Sequence, residues 1–267
     1  MTESAKKEGR GPFRADQLKS GDRYELSDGH AVYCAPSGGD SSRANLVGAS
    51  VLETDPAVEE AGVDAGYSNR PTDLRAPDVA VGNVPDRPGW IAGVPPLAVE
   101  YAGRGQSESE LQAKIVDLLA QGTRYVWVVR LLGERRVEVY EPGRGMKTLR
   151  AGSRLTAPGI LQNDVAVEAL FDREAAHEAT LRNLLQRKGY RDLEDVREQG
   201  RVRGVEQGRE QGREQESRAI LLDLLQARFG PLSELHQRRV NRAPIDQVRG
   251  WLKRQLTAES LEEVLGG

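Results

Sequence analysis

Sulfur and histidine are scarce in this sequence of 267 residues, which holds one cysteine, two methionines and three histidines. The lone Cys34 excludes an internal disulfide framework and suits a reducing compartment. His30, His177 and His236 fall in separate stretches, which argues against a zinc centre. No apolar run is long enough to span a bilayer, and the opening residues lack the apolar segment of a signal peptide. A cytoplasmic protein with no membrane partner is expected. Positive charge is not in excess either: the net charge of -3 argues against a broadly basic coat for nucleic acid. Any contact with a polyanion has to be local.

What the chain does hold is a pair of carboxylates where carboxylates are costly. Ala76-Pro77-Asp78-Val79-Ala80-Val81 and Pro95-Pro96-Leu97-Ala98-Val99-Glu100-Tyr101 are short, Val-rich runs that read as adjacent buried strands. A carboxylate in such a run needs a partner. Asp78 starts the first run and Glu100 stands near the end of the second, so antiparallel pairing would bring both to one rim of a sheet. Like charges that close call for a cation between them. A hard divalent ion with oxygen ligands, Mg²⁺ or Mn²⁺, meets that need and supplies chemistry. An Asp after Pro also begins many ordinary strands, but Glu100 within an apolar run makes an accidental pair a poorer reading.

The next stretch adds a third group. From Ser107 or Ser109 to Gln121, Leu111, Ile115, Leu118 and Leu119 keep helical spacing, and Gly122 closes the helix. Lys114 borders the buried stripe, where an ammonium would orient an attacking water and offset the charge of a phosphate. The plainer alternative is a solvated pair with Glu110, worth about 0.2–0.5 kcal/mol.

Around these elements the pattern alternates between strand and helix. Asp28-Gly29 between two alternating runs predicts an opening hairpin. A helix is expected from Ser41 or Ser42 to Leu52, with Gly48 weakening it, and a strand near Val63 to Tyr67. Tyr125 to Leu131 and Arg135 to Tyr140 read as two more strands, Met146 to Leu155 as a small peripheral hairpin, and Val165 to Phe171 as the close of the domain. Trp90, Trp127 and Trp251 read as core or loop anchors before base-stacking platforms.

The tail has another character. Gly200, Gly204, Gly208 and Gly212 recur every four residues among Arg, Glu and Gln. Small residues on one helical row let two helices approach closely, so a dimer neck and a solvated, partly helical linker both fit. Stripes of Leu, Ile, Val and Trp after Ser217 predict a small helical domain, with Thr257 capping its last helix, given an interaction or oligomer role. The expected divisions are a disordered start at 1–11, an α/β domain at 12–172, a helical segment and Gly-repeat neck or linker at 173–216, and the helical domain at 217–267.

Taken together, Pro77-Asp78, the strand ending in Glu100, the helix carrying Lys114 and the run Gly122-Thr123-Arg124-Tyr125-Val126-Trp127-Val128-Val129 resemble the Uma2 family of endonucleases, a branch of the PD-(D/E)XK superfamily. The resemblance covers Pro12 to Asp172. It implies a restriction-endonuclease-like core with a central mixed sheet flanked by helices, here followed by an all-α tail. It also implies a Mg²⁺- or Mn²⁺-dependent endonuclease acting on DNA: Asp78 and Glu100 as metal ligands, Lys114 as the catalytic lysine moved from the strand to the helix. The usual lysine position, two after the glutamate, is Ala102. An Asp often closes the Trp-containing strand in that family, and Arg130 stands there instead. A catalytically silent scaffold is therefore the second reading, and a homodimer through the Gly-repeat helix and C-terminal helices is the expected assembly.

Overall fold

The structure is a computed structural model that describes residues 11–105 and 107–266; most of the expected disordered start lies outside them. The chain forms two compact units, one ending at Asp192 and one beginning at Leu193.

The first unit opens with strands β1 (Tyr24–Ser27) and β2 (His30–Tyr33). Asp28 and Gly29 between them both take positive φ, 47° and 78°, the turn whose twist matches an antiparallel pair. Helix α1 (Gly39–Glu53) follows, then β3 (Ala61–Val63), β4 (Val79–Val81), β5 (Leu97–Ala102), helix α2 (Glu108–Ala120), β6 (Tyr125–Arg130), β7 (Arg136–Tyr140) and β8 (Lys147–Arg150). β3 to β8 form one six-stranded sheet in sequence order, antiparallel except where β5 meets β6. A parallel pair needs a long crossover, and α2 supplies it.

Period-two alternation divides the sheet between two cores. Leu97, Val99 and Tyr101 join Val79, Val81, Trp127 and Val129 on the face covered by α1. Ala98 and Ala102 join Val126 and Val128 against Leu111, Ile115 and Leu118 of α2. Gly48, which weakens α1 in the sequence, has a packing reason: a methyl there would overlap the hydroxyl of Tyr101. That hydroxyl is buried and donates to the Leu170 carbonyl at 3.0 Å.

Two elements differ from expectation. The segment read as a peripheral hairpin is split: β8 extends the main sheet, with Leu149 opposite Val137 and packed on the larger core, while β9 (Arg154–Leu155) pairs with β10 (Val165–Ala166). Helix α3 (Arg173–Arg187) docks on the first unit, because the buried Asn183 amide donates to the Val51 carbonyl at 3.0 Å and Arg187 donates to the Thr54 carbonyl at 2.9 Å. These are carbonyls at the end of α1 that helix geometry leaves open.

The second unit begins with α4 (Leu193–Phe229), one continuous helix through the glycine repeat. Among the described residues, and apart from the helix's own adjacent backbone, nothing lies within 4 Å of where a side chain would begin at Gly200, Gly204, Gly208 or Gly212. Gly230, at φ 82°, ends it. Helices α5 (Glu234–Arg242), α6 (Ile245–Arg254) and α7 (Leu261–Leu265) fold back over Leu221 and Leu225, with Val240, Val248, Trp251 and Val264 completing a separate core. Ser260, rather than Thr257, caps α7. Among the described residues no helix is long and apolar enough to cross a membrane.

The Gly48 contact gives a direct test. Gly48→Ala adds a better helix former yet is expected to lower unfolding stability by about 1–3 kcal/mol through overpacking. In a Tyr101→Phe background, measured by urea unfolding, the same change is expected to cost clearly less.

Candidate active site

Strand register assembles the acidic pair. Val79 pairs with Val99, which sets Asp78 beside Glu100 across the β4–β5 ladder. Both belong to the face that carries Ala80 and Ala98, the side on which α2 lies over β5. Asp78 is held by the backbone N–H of Tyr101, which donates to its Oδ2 at 2.6 Å. Glu100 is 2% exposed.

Lys114 enters from α2. Its Nζ lies 2.8 Å from Glu100 Oε1, donates to Glu25 Oε1 at 2.9 Å and donates to the Ala76 carbonyl at 2.7 Å. Ala102 is the next residue of β5 on the same face, and its small side chain packs in the cluster beneath α2. The ammonium thus reaches Glu100 from the helix rather than from the strand. The pairing with Glu110 does not form; the partners are Glu25 and Glu100.

Behind this group runs a chain of alternating charge. Arg75 approaches the second oxygen of Glu25 at 3.4 Å, donates to Ser27 Oγ at 2.7 Å and donates from Nε to Asp117 Oδ2 at 3.0 Å. Glu25, Arg75 and Asp117 were not singled out from the sequence. Asp117 carried a signal, lying one helical turn beyond Lys114, and Glu25 carried a weaker one as a carboxylate next to the core residue Leu26. Asp64 was also missed. It follows Val63, which pairs with Val79, and it adopts φ 52° one strand out from Asp78.

The titration behaviour follows from this crowding. Burial pushes the Glu100 carboxyl up to about 8; Lys114 opposes the shift, and the charges of Asp78 and Glu25 add to it. Asp78 is raised by burial against the pull of Lys114 and the Tyr101 N–H. Burial works against the Lys114 ammonium, but Glu100, Glu25 and Asp78 outweigh it and raise its pKa.

Among the described residues no set of three or more His, Cys, Asp or Glu side chains is arranged to hold a metal ion. The donors nevertheless suit a small hard cation. Glu100 Oε1 is buried with no hydrogen-bond partner, since Lys114 meets it at ion-pair distance but off the direction of a hydrogen bond. Asp78 is only partly buried. One or two carboxylates, with waters and substrate oxygens filling the rest, are the usual protein share of a Mg²⁺ site.

The profile of the Uma2 family, described as "Putative restriction endonuclease", matches residues 13–169. The chain belongs to the Uma2 family. A crystal structure of a putative nuclease belonging to DUF820 from Anabaena variabilis ATCC 29413 is similar over 61% of this chain and 99% of that one, with TM-score 0.53 and 18% identity. At that identity the likeness shows the fold. No curated protein matches the chain. Within the Uma2 pattern Arg130 stands where an Asp is common, and it pairs with Glu138 at 2.9 Å and Glu108 at 2.7 Å. It buttresses the start of α2 against β7 and adds no carboxylate to the cluster.

The raised Glu100 pKa has a definite sign in stability. A carboxyl at 4.5 when unfolded and about 8 when folded binds more protons in the folded state between those values, so its contribution falls as pH rises through that window. In ion-free buffer, the stability of wild type relative to Glu100→Gln is expected to decline from pH 5 to pH 8 in urea titrations. A constant difference would contradict the buried, shifted carboxyl.

Proposed function

We propose that this Uma2 chain is a Mg²⁺-dependent endonuclease that hydrolyses phosphodiester bonds of DNA, with Asp78 and Glu100 holding the ion and Lys114 acting as the catalytic lysine. The observation that carries the reading is the buried, unbonded Oε1 of Glu100 beside Asp78, with an ammonium 2.8 Å away. The ion, when bound, would activate a water and polarise the phosphodiester, and Mn²⁺ would serve in its place.

The chain's own groups do the rest. Asp78 keeps one oxygen fixed by the Tyr101 N–H, so its carboxylate is oriented before any ligand arrives. Glu100 has to give up its proton to become a ligand, and its raised pKa makes that step depend on pH. Lys114 sets a positive charge at the rim, where it would orient the attacking water and steady charge developing on a phosphate oxygen. The second reading, a silent scaffold, rested on Ala102 and on the acidic balance of the chain; Lys114 beside Glu100 supports the nuclease reading over it.

A cytoplasmic location and a homodimer joined through α4 complete the proposal. Side chains could be added along the glycine row of α4 without meeting another described residue, which leaves that row open to a second copy, and sedimentation would read a mass of twice 29.3 kDa.

The decisive comparison is cleavage of plasmid, linear, single-stranded and branched DNA with Mg²⁺ or Mn²⁺. Wild type is expected to cut, and Glu100→Gln and Lys114→Ala are each expected to cut about 100-fold slower or less. Equal behaviour of all three would remove the nuclease assignment.

A further inference from the structure

An ammonium has three N–H donors and no more. Lys114 spends two on the Ala76 carbonyl and on Glu25, and its third side faces Glu100 at ion-pair distance without a hydrogen bond. If Lys114 is to steer a water or a phosphate oxygen, as the proposed function requires, the ammonium must turn its third N–H from Glu100 to the substrate while the other two stay held.

The three contacts differ in how firmly they are held. The Ala76 carbonyl is backbone, fixed next to Pro77 at the entry to β4. Glu25 is buried and gripped from its far side by Arg75, which is itself tied to Ser27 and Asp117. It has no freedom to follow the ammonium. The Glu100 contact lacks hydrogen-bond direction and leaves Oε1 unbonded. Glu100 is also the one partner with a competing use, as a ligand for the ion.

Resting on the nuclease reading, we infer that Glu25 is the positioning residue for Lys114: it keeps the ammonium at the rim when a divalent ion takes Glu100. Lys114 is then the resident counter-ion of the site, and ion and ammonium compete for one carboxylate. Release from Glu100 frees one N–H toward the substrate while Glu25 and Ala76 hold the other two. Glu25 acts through the lysine and does not touch the ion.

This arrangement makes a thermodynamic prediction that a ligand role or a merely structural role would not. Without the charge of Glu25, the ammonium leans harder on Glu100 and the ion binds less well. Without the ammonium, the competitor is gone and Glu25 ceases to matter. Calorimetric titration of the full chain with Mg²⁺ alone, in the absence of DNA, reads both effects. Glu25→Gln is expected to weaken Mg²⁺ binding about 5- to 10-fold and Lys114→Met to tighten it by a similar factor, within the usual coupling of contacting charges. In the Lys114→Met background, Glu25→Gln is expected to change affinity by no more than about twofold.

Glu25→Asp, which keeps the charge, is expected to recover most of the lost affinity, and thermal melting reports that each variant is folded. Should Lys114→Met fail to fold, Lys114→Gln takes its place in the cycle. Equal weakening in both backgrounds would overturn the inference, because Glu25 would then act on the ion directly. So would no effect of Glu25→Gln, or no Mg²⁺ binding by wild type. Wild type that binds Mg²⁺ with the cycle intact but cuts no DNA would uphold the role of Glu25 and remove the nuclease reading alone.

Discussion

One buried ammonium holds the site together. Lys114 joins three parts of the chain that are far apart in sequence: α2, the rim where β4 and β5 meet, and the opening hairpin, whose Glu25 lies 89 positions from it. A buried charge without partners costs several kcal/mol, so this fold depends on all three parts arriving together. The alternating series Asp117, Arg75, Glu25, Lys114, Glu100 is what makes the burial tolerable. It also concentrates negative charge at the rim, since Asp78 and Glu100 share the one nearby ammonium.

That excess is what the proposed metal would relieve. Burial pushes the Glu100 carboxyl up to about 8, and the Lys114 ammonium opposes that shift. The lysine on α2 serves this arrangement because Ala102 leaves the strand position small. Under the proposed function the acidic balance of the whole chain is no obstacle to work on a phosphodiester, since an ion and one lysine would supply the positive charge at the rim.

Much of this was legible in the sequence where the signal is local. The two Val-rich runs, the Asp-Gly turn and the stripe of α2 obey short periods, and period two alone sets Asp78 and Glu100 on one face once the strands pair antiparallel. The partners of Lys114 were not legible, because Glu25 and Arg75 reach it through contacts that no spacing encodes. From sequence, Glu110 one turn away was the natural partner; in the fold, burial of Lys114 selects Glu25 and Glu100. The peripheral hairpin was misread for a similar reason, since β8 follows the apolar row of β7 rather than its own turn. In α4 the four glycines left a partly helical linker open, but no proline interrupts the run and ion pairs such as Arg201 with Glu198 at 2.7 Å support it along its exposed length.

The central claim is that Asp78 and Glu100 hold a divalent ion and that Glu100 surrenders a proton to do so. Calorimetry of Mg²⁺ binding at pH 7 in two buffers of different ionisation enthalpy measures that proton directly. Burial raises the Glu100 carboxyl while Lys114 opposes the shift, so binding is expected to release a measurable fraction of a proton, and the release is expected to vanish in Glu100→Gln. Binding that releases no proton, or release that survives the Gln substitution, would contradict the account.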